Sequence, residues 1–198
     1  MSNYQFTPSP TFGVSEHNFA TWEDGFSFEE IQEVIKIGES LDPKSATVTG
    51  GSIDGVRESQ VSWISLTQDT VWLYDKLAYI ARSLNGQFFK FDLYGFSEDL
   101  QFTVYHGQDQ GFYEWHLDRG PNSNGTGPRK LSMVLQLSDP YEYEGGELQL
   151  KINNEELIVP KQRGLVVCFP SFMLHRVTPV TSGIRRSLVV WITGPAFR

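Results

Sequence analysis

Apolar residues return every third or fourth position in two stretches of the first half of the chain. Phe28, Ile31, Val34 and Ile35 fall on one side of a helix, and Ser27 with Glu30 three residues on is the signature of a capping box. Gly38 and Pro43 mark the end of this element. A second stripe, Val71, Tyr74, Leu77, Ala78, Ala81 and Leu84, predicts a helix over 67–84, with Asp69 in its first turn and Asn85-Gly86 as its stop. Between them VRESQVSWISL, residues 56–66, reads as strand. Residues 1–25 show no period and predict an extended arm over the surface.

From Phe88 onward the period changes to two. Phe89, Phe91 and Leu93 alternate with Lys90 and Asp92, and Leu100, Phe102 and Val104 alternate with Gln101, Thr103 and Tyr105. Further short runs follow near 131–137, 147–152, 155–159, 164–169, 172–178 and 185–192. So many short strands separated by turn residues exclude an alternating helix-strand fold and predict a sandwich or barrel. The expected organisation is one domain over 1–198: an arm at 1–25, a helical support at 26–87 and a β-core at 88–198. The clearest loop is PNSNGTGP, residues 121–128.

Composition narrows the class of function. The chain of 198 residues is long enough to bury a core without staples. Its formal net charge of −8, with no run of lysine or arginine, disfavours nucleic acid as partner. One cysteine, Cys168 within the apolar GLVVCFP, excludes an internal disulfide framework and reads as an inert buried thiol. The polar first residues resemble no signal peptide and no apolar run reaches the length of a membrane span, so the expected location is the cytoplasm, with no membrane partner. The oligomeric state is not legible.

The candidate chemistry begins at GFYEWHLDRGP, residues 111–121. On a strand, residues two apart project the same way, so His116 and Asp118 would lie roughly 6.6 Å apart on one face and could share a cation. Tyr113 and Trp115 would then sit on the opposite face. A third ligand must come from His17, His106 or His175. His17 lies in the polar arm and His106 beside a glycine turn, facing away from Tyr105, whereas His175 begins a late strand. Two histidines and a carboxylate form a facial triad suited to Fe(II), although zinc accepts the same ligand types. Further along, RRSLVVW places Arg185, Ser187, Val189 and Trp191 on one strand face. An arginine among apolar neighbours needs an anion, and a dicarboxylate could supply it. Two other readings stay open here: that Arg186 points inward instead, or that Arg185 pairs with one of the chain's acids. Gly145-Gly146 reads as a turn, Glu142, Glu144 and Glu147 as a solvated acidic turn, and Trp63, Trp72 and Trp115 as packing.

With these residues in place, the sequence resembles the 2-oxoglutarate and Fe(II)-dependent oxygenases, in particular the prolyl 4-hydroxylase-like branch. The resemblance covers roughly residues 88–194 and rests on YHGQDQGFYEWHLD, RKLSMVLQLSDPYEYEGGELQL and GLVVCFPSFMLHRVTPVTSGIRRSLVVW. It implies a mainly β fold with N-terminal helices, a double-stranded β-helix or jelly-roll core buttressed by two helices. By matching positions it implies His116, Asp118 and His175 as iron ligands and catalytic centre, and Arg185 as partner of the distal carboxylate of 2-oxoglutarate. Tyr105 is implied as a second contact to that carboxylate. Gln136 stands where some relatives carry a co-substrate-binding tyrosine. Asp118 fills the position that related halogenases leave to a halide, so hydroxylation is favoured over halogenation. The implied cofactors are Fe(II) and 2-oxoglutarate as co-substrate, with ascorbate as reductant. The implied reaction hydroxylates a C–H bond with release of succinate and CO2, in a prolyl residue of a peptide or protein. A free amino acid, another small molecule or a nucleobase is the alternative substrate, and a non-catalytic jelly-roll metal-binding module or cupin-like zinc protein the alternative class. A substrate lid is expected at 119–128.

Overall fold

The computed structural model describes residues 18–45, 55–119 and 127–196. Fourteen strands and two α-helices follow one another in chain order: β1 (Ala20–Trp22), α1 (Phe28–Ser40), β2 (Lys44–Ser45), β3 (Arg57–Glu58), β4 (Gln60–Ile64), α2 (Val71–Leu84), β5 (Gly95–Phe96), β6 (Leu100–His106), β7 (Phe112–His116), β8 (Arg129–Gln136), β9 (Tyr143–Gly145), β10 (Leu148–Ile152), β11 (Glu155–Ile158), β12 (Val166–Pro170), β13 (His175–Val177) and β14 (Val180–Thr193). They form a major sheet in the order β1-β12-β8-β14-β6-β4-β2, with β5 and β9 also on β14, and a minor sheet in the order β11-β10-β13-β7-β3. All pairings are antiparallel. This is the sandwich expected from the period-two runs, in the jelly-roll form that the resemblance implied, with two helices laid against it.

The major sheet is covered on both faces, which is why its central strands read as nearly continuous apolar runs. Leu131, Met133 and Leu135 of β8, Cys168 of β12 and Leu188, Val190 and Ile192 of β14 join Leu73, Leu77, Ile80 and Leu84 of α2 in one cluster. Their alternate neighbours, including Tyr105, Val134, Val167 and Phe169, join Leu148, Leu150 and Val177 of the minor sheet in a second cluster between the sheets. Polar residues described on that inner face, including Gln101, Thr103, Ser132, Gln136, Arg185 and Ser187, are buried. Burying polar groups there is costly, so they mark where chemistry sits.

The capping box at Ser27 forms as expected: Ser27 Oγ accepts from the Glu30 amide at 3.2 Å and Glu30 Oε2 accepts from the Ser27 amide at 2.7 Å. Glu30 also binds Lys76 at 2.5 Å, tying α1 to α2. None of the described helices is long and apolar enough to cross a membrane.

Several expectations need correction. Gly38 does not end α1 but lies buried inside it; a Cβ there would come within 2.3 Å of the Phe102 ring, so the glycine lets the helix sit on β6. The second helix starts at Val71 rather than 67, because the Thr70 hydroxyl is engaged in the preceding turn, accepting from the Thr67 amide at 2.8 Å and donating to the Ser65 carbonyl at 2.7 Å. Residues 88–93 are not a strand. The chain makes a π-helical turn over Asn85–Phe89, Lys90 is left-handed at φ 59°, and the Asn85 side chain both donates to and accepts from the Phe91 backbone. The aromatic alternation there serves the helix-facing core. Residues 56–66 are two strands, since the chain leaves the minor sheet at Glu58 and enters the major sheet at Gln60. Of the expected arm, residues 1–17, His17 included, lie outside the described residues, while Ala20–Trp22 pairs with Val166–Cys168 as an edge strand.

Candidate active site

His116 and His175 are direct cross-strand partners at the end of β7 and the start of β13. Asp118 follows two residues later, its amide donating to the Ser171 carbonyl at 3.0 Å, so its carboxylate turns back between the two rings. His116 Nε2 lies 3.6 Å from Asp118 Oδ1 and His175 Nε2 3.4 Å from Asp118 Oδ2. Each imidazole donates its Nδ1–H to a backbone carbonyl, Glu114 at 2.7 Å and Met173 at 2.9 Å. That fixes the tautomer and leaves both Nε2 lone pairs aimed at one point, as metal-binding histidines require. The Ser132 hydroxyl donates to Asp118 Oδ2 at 2.7 Å and so orients the carboxylate. One nitrogen or oxygen from each residue lies within 4.8 Å of the others, a set able to hold a metal ion.

Charge follows from the same geometry. Burial, reinforced by His175, pushes His116 down to about 3. Burial also opposes a charge on His175, but the adjoining Asp118 carboxylate outweighs it and raises His175 above the ordinary 6.5. Burial works against the Asp118 charge too, yet His175 beside it holds the carboxyl well below its usual range.

The strand-parity expectation for Tyr113 fails. Between His175↔His116 and Val177↔Tyr113 the register slips by one residue, a bulge in β7. Tyr113 therefore shares the face of His116 and stacks on it, ring centroids 3.5 Å apart and planes 14° off parallel. Trp115 stays on the outer face between Lys151 and Arg176.

Deeper in the same cavity Arg185 is 1 % exposed. Its Nη2 donates to Gln136 Oε1 at 3.1 Å, its Nη1 to Ser187 Oγ at 3.3 Å, its Nε has no partner, and the Tyr105 ring lies 5.3 Å from its Cζ. No carboxylate among the described residues pairs with it. Arg186 points the other way and binds Glu39 at 2.7 Å. Gly146 does more than turn the chain: at φ +59° its missing Cβ, which would meet Arg185 Cδ at 2.9 Å, leaves room for the arginine stem. A buried guanidinium with hydroxyl and amide contacts but no anion is a binding site for one.

A family model described as the 2OG-Fe(II) oxygenase superfamily matches residues 100–193. A PKHD-type hydroxylase of Nitrosomonas europaea is 32 % identical over 168 residues, covering 81 % of this chain and 74 % of that protein. The chain belongs to the 2OG-Fe(II) oxygenase superfamily. A PKHD-type hydroxylase of Synechococcus is 37 % identical over 92 residues, 46 % of this chain but only 41 % of the relative's length. In fold, the chain is similar to a prolyl-4-hydroxylase of Pseudomonas putida, with a TM-score of 0.70 at 22 % identity over 91 % of this chain and 95 % of that one. It is likewise similar to a Trichoplax adhaerens prolyl hydroxylase solved with a peptide fragment of the hypoxia inducible factor oxygen degradation domain, with a TM-score of 0.73 at 18 % identity over 90 % and 84 %.

The cavity of this oxygenase encloses about 560 Å³ and contains His116, Asp118, His175, Tyr105 and Arg185 together. Gln136 does not line it and instead buttresses Arg185 from the side. The structure also brings in residues that sequence reasoning did not single out. Trp63, expected as packing, and Trp191 line the mouth 6.2 Å apart, and Arg129 stacks 3.6 Å over Trp191 while its Nε donates to Glu98 Oε1 at 2.7 Å. Arg57, from the support region, stacks 4.5 Å over Tyr113. For Trp191 the signal was present, since it shares the Arg185 face of β14; for Arg57 no local pattern pointed inward. His106 lies outside the triad, and among the described residues Glu142, Glu144 and Glu147 form no further cluster able to hold a metal. Of the expected lid at 119–128, residues 120–126 lie outside the described residues.

Proposed function

We propose that this protein is an Fe(II)- and 2-oxoglutarate-dependent dioxygenase that hydroxylates a C–H bond in a prolyl residue of a peptide or protein, forming succinate and CO2. The observation that carries the reading is Arg185, a buried guanidinium without a carboxylate, opening on the same cavity as a His, Asp, His triad. A metal-binding jelly roll without turnover has no use for that charge in that place. In this reading His116, Asp118 and His175 hold the iron and Arg185 takes the distal carboxylate of 2-oxoglutarate, with Tyr105 beside it and Gln136 fixing the guanidinium. Bound iron supplies the oxidation of 2-oxoglutarate and substrate by dioxygen. The protein's own share is orientation. Carbonyl-anchored imidazoles and a serine-anchored carboxylate present a preset ligand face, and the apolar inter-sheet cluster behind them keeps water away. The Trichoplax neighbour's peptide supports a peptide or protein substrate, and the cytoplasm is the proposed location. Ascorbate as reductant rests on the family resemblance alone.

Anaerobic titration of the Fe(II)-loaded protein with 2-oxoglutarate tests this reading. The expected result is a weak visible metal-to-ligand charge-transfer band, lost in Asp118→Ala together with iron retention. No band, and no succinate under oxygen, would sink the proposal.

A further inference from the structure

Arg57 sits at the mouth of the cavity in a setting that resembles that of Arg185. It faces Tyr113 directly across the β3–β7 pairing and lies with its Cζ 4.5 Å over that ring, which in turn stacks on His116 at 3.5 Å. The guanidinium is thus two ring spacings from a candidate iron ligand. Its Nε is held by Ser59 Oγ at 2.8 Å, and its Nη2 is buried without a hydrogen-bond partner. Among the described residues no carboxylate lies within ion-pair distance of it. Both strand neighbours that carry acids, Glu58 and Glu114, leave it unpaired.

The charges lining the cavity make this informative. Under the reading proposed above, on which this inference rests, the two charges of Fe(II) and the one of Arg185 balance Asp118 and the two carboxylates of 2-oxoglutarate. Glu98 balances Arg129. What remains around the mouth is Arg57, with exposed Arg119 next to Asp118, on a chain whose net charge is −8. A cationic rim on an acidic protein, one of its donors desolvated and unused, is the complement of an anion. 2-Oxoglutarate cannot be that anion, because it occupies the deep end beside Arg185. We infer that the substrate carries a carboxylate within about three residues of the C–H bond that reacts, and that Arg57 binds it. The spacing follows from the stack: Arg57 Cζ, the Tyr113 ring and the His116 ring succeed one another at 4.5 Å and 3.5 Å, and an extended peptide rises roughly 3.3 Å per residue, so a group on Arg57 leaves a residue two or three positions along over the metal.

The test uses the full chain, immobilised and loaded with Mn(II) and 2-oxoglutarate so that no turnover occurs. A randomised library X-X-X-Pro-X-X-X, amidated at its C-terminus, is passed over it and the retained peptides are sequenced. A second library has a free C-terminal carboxylate and lacks Asp and Glu. Side-chain recognition gives enrichment of Asp or Glu at one fixed position within three residues of the proline in the first library, and terminal recognition gives retention in the second. In either case Arg57→Gln lowers affinity for the retained peptides by about tenfold or more, the value of a charge-assisted hydrogen bond, and Arg57→Lys keeps part of it. Both variants keep wild-type affinity for 2-oxoglutarate, which also shows that they fold. Retention indifferent to acidic residues, selectivity that survives Arg57→Gln, or no retention in either library while 2-oxoglutarate still binds would overturn the inference. Failure of the wild type to bind 2-oxoglutarate would instead overturn the oxygenase reading beneath it.

Discussion

Replacing Arg185 by methionine should separate ligand binding from stability in a way that few substitutions do. The side chain is fully buried, methionine reproduces its unbranched stem only as far as Nε, and the guanidinium is held by Gln136 Oε1 and Ser187 Oγ without any carboxylate. In the free protein two opposing changes nearly cancel. Removing an uncompensated buried charge is favourable, whereas leaving one amide oxygen and one hydroxyl without their donor costs about 1 kcal/mol each. The melting temperature of the free variant should therefore stay within about 3 °C of the wild type. With co-substrate the balance is lost. Deleting one side of a buried, hydrogen-bonded charge pair costs about 2–5 kcal/mol, so affinity for 2-oxoglutarate should fall roughly a hundredfold. At a ligand concentration of 100 Kd the wild type gains about 2.7 kcal/mol, which for a chain of this size moves the midpoint by about 5–10 °C. The variant, near 1 Kd at that concentration, gains about 0.4 kcal/mol and moves by about 1 °C. Differential scanning fluorimetry with Mn(II), with and without 2-oxoglutarate, reads both quantities. An undiminished ligand-induced shift in Arg185→Met would refute the assignment of Arg185, and a large loss of stability in the free variant would refute the cancellation.

Metal affinity should rise with pH. Because Asp118 raises His175 above 6.5 in the metal-free protein, a metal must displace a proton there, and affinity falls by about tenfold per unit as pH drops below that raised value; Mn(II) titrations at several pH values would show a flat profile if the proton is not on His175. The same sign applies to the metal-free fold, where the stabilisation from protonated His175 is complete below 6.5 and is lost as pH rises through its raised value. Gly146→Ala places a Cβ 2.8 Å from Val180 Cγ2 and 2.9 Å from Arg185 Cδ at a positive φ, so urea denaturation should show a loss of about 2–4 kcal/mol together with weaker 2-oxoglutarate binding. Cys168, fully buried against the helices and with its thiol pushed up by burial, should react with thiol reagents only at the rate of unfolding; rapid labelling of the native protein would contradict this packing.

Local patterns carried a good part of this molecule. The capping box at Ser27, the helical stripe through Leu84 and the inward face of Arg185, Ser187, Val189 and Trp191 are all statements about residues a few positions apart, where backbone period decides direction. His116 and Asp118 were legible for the same reason. Where one extra residue entered a strand, parity failed: the bulge in β7 brought Tyr113 onto the face of His116, and no composition rule marks that slip. Where an asparagine side chain captured the backbone, an alternating aromatic run became a π-helical turn instead of a strand.

What tertiary structure alone decided is which distant segments meet. The sequence by itself determined an acidic, mainly β chain with a candidate triad and an arginine in need of an anion. It was silent on the break at Ser59, where 56–66 passes from one sheet to the other and thereby delivers Arg57 to the cavity mouth on one side and Trp63 on the other. The physical reason is that register between strands far apart in sequence is set by burial on both faces and by the closing of two sheets around one core. Those interactions belong to the assembled sandwich and to no local stretch of the chain.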